Sequence, residues 1–143
     1  MGRIRLDSDD IKHITLFESM THAKVKDYLQ DGQTMCFLVG TGDMGLAIGK
    51  KGVKIDRVRR ALNKNLIIME YSEDPEQFLK NLFHPATIHG INIAKTSGGT
   101  TAQVQIAHED RSKAIGPGGV KIRLIKQLAK RHHDIDELSL RTL

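Results

Sequence analysis

Ala47-Ile48-Gly49-Lys50-Lys51-Gly52-Val53-Lys54-Ile55 and Ala114-Ile115-Gly116-Pro117-Gly118-Gly119-Val120-Lys121-Ile122 are one motif written twice. Seven of the nine positions are identical at a constant offset of 67 residues, so the chain reads as a tandem duplication. Two units, 1–72 and 73–143, fill the 143 residues. Each is small for a domain, which favours mutual support between them.

Working outward from the motif, each unit repeats one grammar. A helix is expected at Ser8–Met20 and again at Asp74–Phe83, with Ser8 or Asp9, and Ser72 or Asp74, as N-caps and Pro75 at the first helical position. Strands are expected at Ala23–Leu29 and Thr34–Val39 across the turn signal Asp31-Gly32, and at Thr87–Lys95 and Thr101–His108 across Ser97-Gly98-Gly99. A short helix leads into each Gly-x-x-Gly. After it, Val53–Leu62 and Val120–Lys130 place Ile55, Val58 and Leu62, and Ile122, Ile125 and Leu128, on one helical face. Closing strands are expected at Leu66–Tyr71 and Ile135–Leu140. Only 24 residues follow Gly119, enough for one helix and one strand, so the rest of the unit must lie upstream. Segment 72–81 between the units is itself helix-like, which argues against a floppy linker.

The net charge of +5 hides a sharp distribution. Ala47–Lys64 holds seven bases (Lys50, Lys51, Lys54, Arg57, Arg59, Arg60, Lys64) and one acid, Asp56. Arg111–Arg131 holds seven bases (Arg111, Lys113, Lys121, Arg123, Lys126, Lys130, Arg131) and no acid. The remainder has eight bases against sixteen acids. Two basic windows on an otherwise acidic chain point to a polyanion, most often nucleic acid. The glycines fit that reading. Two of them, three apart between helices, let the backbone turn without a side chain in the way. A phosphate can then approach the head of the following helix, whose dipole favours an anion.

The block Ile-Gly-x-x-Gly before a basic amphipathic helix resembles KH domains, which clamp about four nucleotides of single-stranded RNA at the loop. The order helix, strand, strand, short helix, Gly-x-x-Gly, helix, strand looks like the type II arrangement, with the extra helix and strand on the N-terminal side. Two such units joined by 71–78 resemble the KH pair of NusA, and the short form is similar to archaeal NusA-like proteins. The resemblance implies an α+β fold of two three-stranded sheets packed on helices. It implies backbone clamping by Gly49-Lys50-Lys51-Gly52 and Gly116-Pro117-Gly118-Gly119. Ile48, Val53 and Ile55, with Ile115, Val120 and Ile122, are shared between an apolar groove for bases and the core. Lys54, Arg57, Arg111, Lys113, Lys121 and Arg123 add attraction for phosphates. It further implies nascent RNA as partner, with RNA polymerase or its complex beside it, and no cofactor, metal or catalytic residue. The second loop departs from the pattern: Pro117-Gly118 stands where such loops carry a base, so its charge must come from flanking residues. The polymerase-binding and S1 domains of bacterial NusA do not fit in this length. A ribosome-associated or ribosome-assembly role is the alternative within RNA binding.

Other readings are weaker. Gly40-Thr41-Gly42-Asp43-Met44-Gly45 matches the dinucleotide fingerprint, with Glu70 as ribose acid, but the second unit lacks it and the strands are too few for such a sheet. The seven histidines are scattered and show no metal-ligand spacing. His132-His133 read as the end of a helix and Cys36 as core. The six aromatics, none of them Trp, disfavour a stacking platform. The longest apolar run, Met35–Val39, is far short of the roughly 20 residues of a membrane span. Met1–Asp10 contains no secretory apolar stretch, and Leu6 stands where myristoylation after Gly2 wants Ser or Thr. With a single Cys, a reducing cytoplasmic setting is expected, and the protein as a monomer.

Overall fold

The structure, a computed structural model, describes residues 7–142. The start of the chain, read above for a leader or a lipidation site, lies outside the described residues up to Leu6. The rest falls into two compact units that meet in sequence between Ser72 and Glu73.

The first unit runs α1 (Ser8–Thr21), β1 (Val25–Asp31), β2 (Thr34–Val39), α2 (Met44–Ile48), α3 (Val53–Leu62) and β3 (Asn65–Glu70). The second runs α4 (Pro75–Phe83), β4 (Ile88–Thr96), β5 (Gly99–Ile106), α5 (Arg111–Ile115), α6 (Val120–His133) and β6 (Ile135–Thr142). Each holds a three-stranded sheet, in the orders β1-β2-β3 and β4-β5-β6. The first pair of strands is antiparallel and the second parallel in both. The parallel pairing follows from the helices that cross from β2 to β3 and from β5 to β6. This is the type II order expected from the sequence. One irregularity also repeats, the register slip at the head of β1 (Val25/Asp27) and of β4 (Ile88/Gly90), whereas the slip at Thr100/Thr101 between β5 and β6 has no counterpart between β2 and β3.

Alternation along β2 builds the first core. Met35, Phe37 and Val39 join Phe17 of α1, Ala47 of α2 and Val58 of α3 in one buried cluster, with the Phe17 and Phe37 rings stacked at 4.2 Å. Cys36 and Leu38, pointing the other way, are buried too. In the second unit Phe78 and Leu82 of α4, Val104 and Ile106 of β5, and Ile125 and Leu128 of α6 are fully buried.

The element boundaries differ from expectation where side chains intervene. The N-cap of α1 is Asp7, not Ser8 or Asp9, because Asp7 and Asp10 form a reciprocal capping box. Strand β1 starts at Val25, not Ala23: the Ala23 N–H is held by the Thr21 hydroxyl and the Lys24 N–H by the Asp43 carboxylate. The Asp74 cap and Pro75 at the first position of α4 are as expected.

Candidate nucleic-acid interface

Both Gly-x-x-Gly segments are single 3-10 turns between a five-residue helix and a long basic one. Their backbones are nearly the same. Gly49 and Gly116 have φ 75° and 76° with ψ 175° and 165°. The third positions, Lys51 and Gly118, are left-handed at φ 54° and 62°, and Gly52 and Gly119 share φ 75°. Pro117-Gly118 therefore changes the charge of the second loop and leaves its conformation. The first glycine is obligatory on two counts. Its φ suits glycine, and a Cβ at Gly49 would lie 2.7 Å from Lys54 Cγ, while one at Gly116 would lie 2.9 Å from Lys121 Cβ.

The heads of α3 and α6 differ from those of α1 and α4. Asp7 and Asp74 cap the latter pair with carboxylates. Helices α3 and α6 begin after Gly52 and Gly119, with no side-chain cap on either. No side chain of the chain thus caps the positive end of either dipole, although Asp56 lies in the first turn of α3 and no acid lies in that of α6, and an uncapped head suits an external anion. The amides are only partly free: Gly52 N–H donates to Gly49 O at 3.2 Å and Val53 N–H to Lys50 O, with the same closure at Gly119 and Val120.

Among the bases singled out by sequence, the structure separates two kinds. The side chains of Lys50, Lys51 and Arg57 are exposed and make no hydrogen bond or ion pair with the described residues. Lys54 and Lys121 are structural: Lys54 Nζ donates to Thr21 O at the end of α1, and Lys121 Nζ to His84 O just past α4. Each thereby caps the negative end of its unit's first helix. Lys113 lies 3.4 Å from the Asp110 carboxylate, and Arg111 is exposed.

Arg123 reaches back to the second loop and donates from Nη1 to Gly118 O at 2.7 Å. That puts a guanidinium beside the loop position where Lys51 stands in the first unit. The residue 67 positions earlier is Asp56, which pairs with Arg59. The cation missing from the second loop is thus delivered from the helix. Apolar surface is also unequal. Leu46, Ile48 and Val53 around the first loop are exposed, whereas Ile115 and Val120 around the second are half-buried. Ile55 and Ile122 are half-buried.

One repeated pair escaped the sequence reading. Asp43 and Asp110 stand at the heads of α2 and α5, and each carboxylate accepts the N–H of a residue before its unit's first strand, Lys24 at 2.9 Å and Thr87 at 2.8 Å. The Thr87 N–H, and then Lys113, hold the Asp110 carboxyl below the usual carboxylate range. Extending the offset of 67 four residues upstream of Ala47 would have found them. Asp43 also accounts for Gly40-Thr41-Gly42: the Asp43 N–H closes a turn on Gly40 O, so this stretch is a tied-down entry to α2. Among the described residues no three His, Cys, Asp or Glu side chains come together as a metal site, and no helix is long and apolar enough to cross a membrane.

Residues 12–73 match the KH domain model, and residues 75–142 match that of the NusA-like second KH domain. The chain is 36% identical over 138 residues to a probable transcription termination protein NusA of Halococcus morrhuae, spanning 96% of this chain and 99% of that one. The chain belongs to the archaeal NusA family. A probable NusA of Methanococcus vannielii is likewise 36% identical, over 90% of this NusA-like chain and 75% of its own length. The crystal structure of APE1850 superimposes with a TM-score of 0.77 at 29% identity, covering 95% of this chain and all of that one. Both halves of this NusA-like protein are therefore KH domains.

Proposed function

We propose that this protein is a single-stranded RNA-binding factor of transcription termination and elongation, which grips the nascent transcript at two Gly-x-x-Gly loops. Its domains are 1–72 and 73–143. The observation that carries the reading is the pair of loops with matching backbones, each opening an uncapped helix. A cation stands beside each: Lys50 and Lys51 in the first, Arg123 in the second. Relatives named as probable transcription termination protein NusA supply the process. Phosphates are held at the loops, and bases lie on the exposed aliphatic surface of Leu46, Ile48 and Val53. The protein works by binding, with no catalytic step, as a cytoplasmic monomer beside RNA polymerase.

Sequencing RNA cross-linked to the protein in its own cells tests this. Enrichment across nascent transcripts is expected. Enrichment confined to ribosomal RNA would replace the transcriptional role with a ribosomal one.

A further inference from the structure

The far end of α3 carries a second group of cations that the loops do not use. Gln33, Arg59, Arg60, Asn63, Lys64 and Asn65 line an open pocket of about 350 Å³ between the end of α3, the start of β3 and the turn before β2. No carboxylate lines it. Arg59 is neutralised by Asp56 at 2.9 Å. Arg60 and Lys64 are not. Arg60 Nε reaches only the Asp56 carbonyl, at 3.4 Å, and Lys64 Nζ the Gln33 side-chain oxygen, at 2.9 Å. Both acceptors are neutral, so two positive charges remain uncompensated beside three amide side chains.

The second unit supplies an internal control. At the matching place, between α6, the start of β6 and the start of β5, stands Asp136. Its carboxylate accepts the Thr100 N–H at 2.8 Å and pairs with Lys130. That end of the fold carries its own anion, and the first unit leaves the same place without one.

We infer that the Arg60–Lys64 pocket takes a backbone phosphate of the same RNA strand whose neighbouring nucleotides lie at the first loop. This rests on the RNA-binding reading above. The ten residues of α3 separate loop and pocket by about 15 Å. Arg57 lies between them, three residues from Arg60 and so on the same helical face. A strand leaving the loop along that face meets Arg57 and then the pocket.

The test compares the full chain with Arg60→Gln/Lys64→Gln on a four-nucleotide RNA, the footprint of one loop, and on a twelve-nucleotide RNA. For one phosphate contact, the variant should bind the long RNA about fourfold more weakly at 0.15 M salt, with a log–log salt slope lower by about 0.7. Affinity for the short RNA should not change. Equal loss on both lengths, or no loss on the long one, overturns the inference. So does a lowered melting temperature with unchanged affinity, which would make the two cations mere caps for α3. Inorganic phosphate alone shifting the Asn63 and Asn65 side-chain amide signals as far as the long RNA does would make the pocket a free-anion site, and also overturns it. Lys50→Pro/Lys51→Gly separates this from the broader reading: it weakens both lengths if the loop binds RNA, whatever the pocket does.

Discussion

The second loop is a natural template for removing charge from the first. Lys50→Pro/Lys51→Gly turns the first loop into Gly-Pro-Gly-Gly, the sequence of the second, whose backbone already matches it. Gly49 at ψ 175° is compatible with a following proline, as Gly116 at ψ 165° is. Glycine at position 51 relieves a lysine held at φ 54°. Neither lysine side chain has a partner among the described residues, so no side-chain contact is lost. The substitution thus isolates the two ammonium groups. On a single strand each neutralised phosphate adds about 0.7 to the log–log salt slope. If each lysine meets one phosphate, the variant's slope falls by about 1.4. Taking that contribution to vanish at 1 M, the loss is about fourteenfold at 0.15 M and about 65-fold at 0.05 M. Fluorescence anisotropy with a labelled twelve-nucleotide RNA across that range reads both quantities, and circular dichroism melting confirms folding. Parallel salt plots for a folded variant would refute placement of the phosphates at Lys50 and Lys51.

Three further outcomes follow from the loops and their supports. Gly49→Ala should destabilise the fold by at least about 2 kcal/mol through φ and the contact with Lys54, whereas Gly118→Ala, with open space around it, should cost about 1 kcal/mol; urea denaturation compares them. Lys54→Met and Lys121→Met should each lower stability by about 1 kcal/mol while changing RNA affinity less than about twofold, because both ammonium groups cap a helix end; melting and anisotropy on the same samples check this. Asp110 has a lowered pKa, so its contribution to stability is present above the unfolded carboxylate value near 3.9 and is lost as pH falls through the folded value. Asp110→Asn should flatten part of the acid limb of a melting temperature–pH curve, and an unchanged limb would remove Asp110 from the account.

The fold was legible because two signals agreed: a repeat at fixed offset and hydrophobic periods that switch between strand and helix. Helix α3 lies within the bounds that its apolar face and basic flank indicate. What stayed hidden was the destination of long side chains. A lysine one position into a basic helix looks the same in sequence whether it faces solvent or curls back, as Lys54 and Lys121 do, to a carbonyl more than 30 residues away. Helix α1 begins at Ser8 as expected, but its N-cap is hidden in the sequence for a similar reason. Asp7, Ser8 and Asp9 are all competent caps, and only the reciprocal bond with Asp10 selects among them.

The repeat also shows how one backbone accepts two distributions of charge. In the first unit the cations are within the loop, on flexible stems without partners, and the helix below carries Asp56. In the second the loop is Pro-Gly and the cation rises from Arg123 at the position of Asp56, oriented by its bond to Gly118 O. A guanidinium held in place loses less freedom on meeting a phosphate than two mobile ammonium groups do. It also delivers less charge. Arg123→Gln should therefore reduce the salt slope by about 0.7, half the effect of the double change in the first loop. A reduction as large as that of Lys50→Pro/Lys51→Gly would mean that Arg123 acts on more than one phosphate.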